Sequence, residues 1–174
     1  PLSNSPMTSV TREALIVADA SPLIGLAKIN RLRVLSALAD SILIPRTVWR
    51  EVVEAGGNRP EVASIAAAFA ASVASGSVDL VANLRQRVDP GEAEAIALAR
   101  GAPGCLLLID DSVGRAVAES YGVRCIGTAG LLLRARKMGL IESLRTELEL
   151  VQQQGLYLHR SLVEKLLAAA GELP

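Results

Sequence analysis

Apolar positions along the chain follow two rhythms that alternate. Short β-branched or leucine-rich runs are separated by stretches of helical apolar spacing. The run ALIVAD, residues 14–19, predicts a strand that ends on an acid. Ser21 followed by Pro22 predicts an N-cap with proline at the first helical position, opening the helix LIGLAKI. Asn30 is the expected cap of a second helix, RLRVLSAL. SILIP, residues 41–45, predicts a short strand, and Thr47 the cap of the helix VWREVVEAG, which stops at Gly56-Gly57. Residues 59–75 predict an alanine-rich helix, and VDLVANL, residues 78–84, a strand or edge segment.

Asp89-Pro90 opens the helix GEAEAIALARG, and CLLLI, residues 105–109, predicts a buried strand running into Asp110-Asp111. A helix (SVGRAVAESYG), a strand (VRCIG) and a helix (TAGLLLRARKMG) follow, then a helix over residues 143–154 and a short strand, LYLH. Ser161 and Glu164 have the spacing of a capping box for the last helix. Strands joined by helix-length crossovers predict an α/β fold: three layers, α/β/α, around a mainly parallel central sheet. No interdomain linker or internal repeat is visible.

Composition narrows the functional classes. With 18 basic and 18 acidic residues the formal net charge is zero. That balance argues against a dedicated nucleic-acid coat protein but leaves room for a nuclease, because clustered acids can offset basic residues placed elsewhere. Aromatic content of 2% makes base-stacking platforms scarce. No apolar run approaches the roughly 20 residues of a membrane span. Cys105 and Cys125 each sit in an apolar run and read as reduced core residues, which, with no secretory signal visible, predicts a cytoplasmic protein. Residues 1–6 precede Met7, the expected native start, and read as a cloning remnant within a tail over residues 1–13.

The acids carry the chemistry. In an open parallel sheet, ligands bind beyond the carboxyl ends of the strands. Asp19 ends the first expected strand, and Asp110 and Asp111 end CLLLI. Glu51 lies one turn inside the helix after SILIP, and Glu92 in the first turn of the helix leading to CLLLI. Two carboxylates 4 Å apart repel by about 4 kcal/mol at an effective dielectric near 20, so such a group either protonates or holds a cation. An all-oxygen donor set selects Mg²⁺ or Mn²⁺ over zinc. Metal on carboxylates and water suits phosphodiester hydrolysis.

VADASPLI is similar to the opening strand and turn of PIN-domain proteins, and IPRTVWREVVEAG resembles the segment that carries their second acid, here Glu51. DPGEAEAIALARG followed by LLLIDDSVGRAVAESYGVRCIGTAGLLLRARKMGLI closely resembles an uncharacterised PIN-like branch of that family, in which the helix supplies the third acid and the IDD step the fourth. The resemblance runs from about Ile16 to Gly171, so residues 14–174 read as a single PIN-like domain. It implies a Mg²⁺- or Mn²⁺-dependent ribonuclease, often the toxin of a VapC-type toxin–antitoxin pair. The acids are then Asp19, Glu51, Glu92 and Asp111, with Glu94 and Asp110 as alternates, and metal on Asp19, Glu92, Asp110 and Asp111. Ser21 would touch metal-bound water.

Each residue also has a plainer reading. Asp89 and Glu92 can form an acidic capping box, Asp110 or Asp111 can cap the helix starting at Ser112, and Glu54 can replace Glu51. His159 reads as a surface or packed residue and Trp49 as core or interface. Arg134, Arg136 and Lys137 complement a helix C-terminus. Read functionally, Arg46, Arg50, Arg115, Arg134, Arg136 and Lys137 flank the strand ends and contact RNA phosphates. The expected substrate is single-stranded RNA, the expected partners an antitoxin protein or a second copy in a homodimer. The alternative is a PIN scaffold with weak or no catalysis that binds nucleic acid or protein.

Overall fold

A computed structural model of the chain describes residues 11–172. The reading of residues 1–6 as a remnant lies outside the described residues. The first half runs β1 (Glu13–Ala18), α1 (Ala20–Lys28), α2 (Arg33–Leu38), β2 (Ala39–Pro45), α3 (Arg46–Trp49), α4 (Pro60–Phe69), β3 (Val73–Ala74) and α5 (Val78–Leu84). The second runs α6 (Pro90–Arg100), β4 (Leu106–Leu108), α7 (Ser112–Ser120), β5 (Arg124–Ile126), α8 (Thr128–Lys137), α9 (Leu144–Gln153) and α10 (Arg160–Ala169).

The five strands are all parallel, in the order β3-β2-β1-β4-β5. β1 is central, with Val17 opposite Leu43 on one side and Leu107 on the other. Side chains on a strand alternate faces. Ile16, Ala18, Leu106 and Leu108 therefore enter one core, with Leu23, Leu26, Leu35, Leu131 and Leu144 from the helices of that face. Val17, Leu107 and Ile109 enter the other, with Leu84, Ile96 and Val117 from α5, α6 and α7. This is the three-layer α/β/α arrangement, and it explains why the central strands read as unbroken apolar runs. Leu107 is wholly buried. Truncating such a residue to alanine costs about 2–5 kcal/mol.

Several local expectations are corrected. VDLVANL is a helix, α5, with Leu84 wholly buried and Val78 left in water. The alanine-rich helix stops at Phe69, and Val73–Ala74 forms the edge strand β3. LYLH is a loop. Ser21 is not the N-cap of α1; Asp19 holds that position. α3 begins at Arg46, so Thr47 lies inside it. The last helix is capped by the His159 ring, which accepts from Ser161 N–H, in place of a Ser161–Glu164 box.

Candidate active site

Parallel strands deliver their carboxyl ends to one side. Ala18 pairs with Leu108, and the Asp19 N–H donates to the Leu108 carbonyl at 3.0 Å. Asp19 and the Ile109-Asp110-Asp111 step therefore leave the sheet together. There they line a cleft of about 560 Å³ with Ser21, Glu51, Asp89, Glu92 and Thr128. The placement of Asp19 at the same end as Asp110 and Asp111 matches the expectation from the strand order.

Most of these carboxylates stand at helix N-termini, where the macrodipole favours negative charge. Asp19 is at the N-cap of α1, yet its side chain makes no cap hydrogen bond. It is buried, with 5% of its surface exposed. Asp89 caps α6, accepting from Glu92 N–H at 2.8 Å, and Asp111 caps α7, accepting from Gly114 N–H at 2.8 Å. Asp110 receives the Thr128 N–H at 2.7 Å and the Thr128 hydroxyl at 2.6 Å, tying it to the start of α8.

Glu51 reaches the cleft through a distortion. After Trp49 the helix widens over Arg50–Glu54, and the Ala55 N–H reaches back five residues to the Arg50 carbonyl at 2.8 Å. Wide turns of this kind re-aim side chains and recur at functional sites.

Glycines admit the acids. A Cβ on Gly114 would stand 3.1 Å from the Glu92 carboxyl carbon and 2.7 Å from Ile109 Cδ1. A Cβ on Gly91 would lie 3.4 Å from an Asp89 carboxylate oxygen and 3.6 Å from one of Glu51.

The electrostatics record the crowding. Burial pushes the Asp19 carboxyl up to about 7; the Ala20 N–H opposes the rise, and the charges of Glu92, Asp89 and Glu51 add to it. Burial also raises Glu92, helped by Asp89 and Asp111. Among the described residues no three acidic, histidine or cysteine side chains are drawn together tightly enough to enclose a cation. The donor set is nonetheless all oxygen, and it centres on a buried carboxylate that no arginine or lysine neutralises within hydrogen-bonding range among the described residues. That chemistry fits a hard divalent cation held partly through water.

Glu92 and Glu94, which compete in the sequence, are separated by the structure. Two positions apart on a helix they point to nearly opposite sides. Glu92 lines the cleft, whereas Glu94 is buried elsewhere and accepts the Thr47 N–H at 2.5 Å, serving as a cap for α3.

The basic residues do not gather as the sequence suggests. α8 starts at the cleft and runs about 15 Å away from it, so Arg134, Arg136 and Lys137 lie in its last turn, at the far end. Arg134 is bound to Glu13 at the start of β1, and Arg136 to Glu172 at 2.8 Å. They are corrected as residues flanking the strand ends. Arg46 is exposed and pairs with Glu54 at 3.1 Å; Arg50, next to Glu51, is exposed. Arg115 donates to the Ile109 carbonyl at 3.0 Å, beside Asp110.

Three cleft residues escape the sequence reading. Asp89 reads only as a cap. Lys28 is passed over, although Ser21, Ile24, Gly25 and Lys28 share one face of α1 by their spacing and all line the cleft. Tyr157, in the loop after α9, lines it too.

A search among curated proteins finds no match to the chain. A family model described as a PIN domain (DUF3368) matches residues 15–172. That span holds every strand of the sheet but the first two residues of β1, and all the carboxylates of the cleft. The chain therefore belongs to the PIN-domain family, whose fold is that of nucleases.

Proposed function

We propose that the protein is a divalent-metal-dependent endoribonuclease whose carboxylates at the ends of β1 and β4 hold Mg²⁺ or Mn²⁺. The observation that carries this reading is Asp19, a buried, uncapped carboxylate at the centre of the sheet with Glu51, Asp89, Glu92, Asp110 and Asp111 lining the same cleft. Asp19, Glu92 and Asp111 are the ligands, directly or through water, with Asp110 and Glu51 completing the outer ring. When bound, the cation supplies a water of lowered pKa and neutralises charge on the reacting phosphate.

The chain's own groups prepare that site. Asp19 holds a proton near neutrality and releases it on ligation, so metal affinity rises with pH. Thr128 orients both oxygens of Asp110. Asp111 spends one oxygen on Gly114 N–H and turns its charge toward Glu92. Ser21, on the first turn of α1, faces the cleft as a contact for bound water. Arg50 and Arg115, beside Glu51 and Asp110, are the phosphate contacts in this reading.

The finer biological role is a toxin of a toxin–antitoxin pair. Its partner in this reading is an antitoxin or a second copy of the chain. Two unbridged cysteines, and the absence among the described residues of a helix long and apolar enough to cross a membrane, support a cytoplasmic setting.

The deciding experiment is cleavage of labelled single-stranded RNA by the purified chain with Mg²⁺, Mn²⁺ or chelator. Metal-dependent cleavage that Asp19→Asn abolishes supports the reading. Cleavage that the variant retains overturns the mechanism.

A further inference from the structure

The carboxylates occupy only part of the cleft. Ser21, Ile24, Gly25 and Lys28 make one wall along the length of α1, from next to Asp19 to its last residue. Nine residues of helix span about 13.5 Å, so Lys28 stands at the end of α1 away from Asp19. Val151, Gln154, Gly155, Leu156 and Tyr157, from the end of α9 and the loop after it, make another wall.

Tyr157 is held there by its neighbours. α9 ends in a glycine turn: the Gly155 N–H donates to the Gln152 carbonyl and the Leu156 N–H to the Val151 carbonyl, both at 3.0 Å, with Gly155 at a φ of +101°. The chain then runs without regular structure to His159, the cap of α10. Leu156 and Leu158 pack against the core beneath, and the residue between them is turned outward, with 84% of its surface exposed. The alternation in LYLH is thus real, but it pins a loop and builds no strand. Val78, Val113, Leu140 and Leu162 are the other exposed large apolar side chains among the described residues, and none lines the cleft. An aromatic ring in water, fixed by anchored neighbours on the wall of a cleft that also carries a lysine, matches a nucleotide: a flat base for the ring and a phosphate for the ammonium.

We infer that Tyr157 and Lys28 form a nucleotide subsite of the cleft, Tyr157 stacking on a base and Lys28 contacting a phosphate of a single strand whose scissile bond lies at the carboxylates. The inference deepens the nuclease reading and rests on it. It requires at least one nucleotide beyond the cleaved linkage to be unstacked, as in a single strand, because inside a duplex both faces of a base are covered by its stacked neighbours. Selection among bases is weak, since every base has a stacking face.

Steady-state cleavage of labelled single-stranded RNA with Mn²⁺ tests it, alongside fluorescence anisotropy of the same RNA on chains carrying Asp19→Asn, which cannot turn over. Tyr157→Ala is expected to raise KM and weaken binding by about 5- to 150-fold with kcat nearly unchanged. Tyr157→Phe should behave as the wild type, because the ring and not the hydroxyl is used. Lys28→Ala should reduce the log–log salt slope of binding by about 0.7, which Tyr157→Ala leaves alone.

Unchanged KM and binding in Tyr157→Ala, on a wild-type chain that cleaves, overturns the subsite and leaves the nuclease standing. Loss of self-association in that variant with RNA binding intact would assign Tyr157 to a protein contact instead. Equal loss in Tyr157→Phe and Tyr157→Ala would refute stacking. A wild-type chain that neither binds nor cleaves RNA removes both readings.

Discussion

Replacing Asp19 with Asn separates the stability of the site from its chemistry. The Asp19 carboxyl has a folded-state pKa of about 7 against an ordinary value of 3.8, chiefly because it is buried. Its folded pKa lies above the unfolded one, so its contribution to stability is intact below pH ~4 and is lost as the pH rises through 7. The shift of about three units corresponds to about 4 kcal/mol at alkaline pH, a ceiling because Asn cannot copy a protonated carboxyl in every contact. In metal-free buffer at pH 8 the variant should therefore be more stable than the wild type by about 1–4 kcal/mol. For a chain of this size each kcal/mol moves Tm by about 2–4 °C. The difference should vanish near pH 4, where the native carboxyl is already neutral. Added Mn²⁺ should reverse the order, raising Tm of the wild type and leaving the variant unmoved. The assay is thermal unfolding from pH 4 to pH 8 with chelator and with Mn²⁺. A Tm difference that does not change with pH, or a variant less stable at pH 8, would refute the account of Asp19 as a strained anion.

Glu92→Gln should abolish cleavage without loss of metal-free stability, whereas Glu94→Ala should destabilise by about 1–3 kcal/mol through the stranded Thr47 N–H; paired melts and cleavage assays read the contrast. Gly114→Ala should cost about 1–3 kcal/mol and depress cleavage, since its Cβ would meet Ile109 and Glu92, and denaturant unfolding measures the first part. Gly25→Ala should stabilise by up to about 1 kcal/mol, because a Cβ there meets nothing within 4 Å and glycine is a poor helix former, a gain visible in Tm. Burial pushes the Glu172 carboxyl up, but the Arg145 and Leu144 N–H groups, Arg136 and Ser143 prevail and hold it down at about 2; Glu172→Ala should cost about 0.5–2 kcal/mol of helix-capping stability above pH 5, less as the pH falls toward 2, and acid titration of Tm checks it.

The sheet was legible because its central strands are continuous apolar runs that end on acids, so both the layer order and the end that carries chemistry follow from pattern. α5 was misread because Val78, Leu80 and Val81 mimic a strand, while the burial of Leu84 follows helical spacing. β3 pairs at two residues only, too few for a period to show. Among the cleft acids, Asp19 and the Asp110-Asp111 step are legible from strand-end placement, and Glu51 and Glu92 from their places on the helices next to those ends. The choice between Glu92 and Glu94 needed helix geometry, which sends residues two apart to different sides. Asp89 hid behind a sound capping role. Arg134, Arg136 and Lys137 lie away from the strand ends because nearness in sequence does not survive the length of α8. Lys28 and Tyr157 left weaker traces: a face shared with Ser21, and an alternation in LYLH whose outward residue no partner strand covers.

Because β1 lies between β2 and β4, the sheet closes in two stages as the chain is made. β2 is the next strand after β1, separated from it only by α1 and α2, and that pair brings Asp19 and Glu51 together early. The second seam, which sets Ala18 against Leu108, waits for a long intervening segment and the entropy of closing it. Until then Glu92, Asp110, Asp111 and the Thr128 that orients Asp110 are not in place. The carboxylate cleft is thus completed late, only after the segment carrying α6, β4 and α7 has docked on the first strand pair.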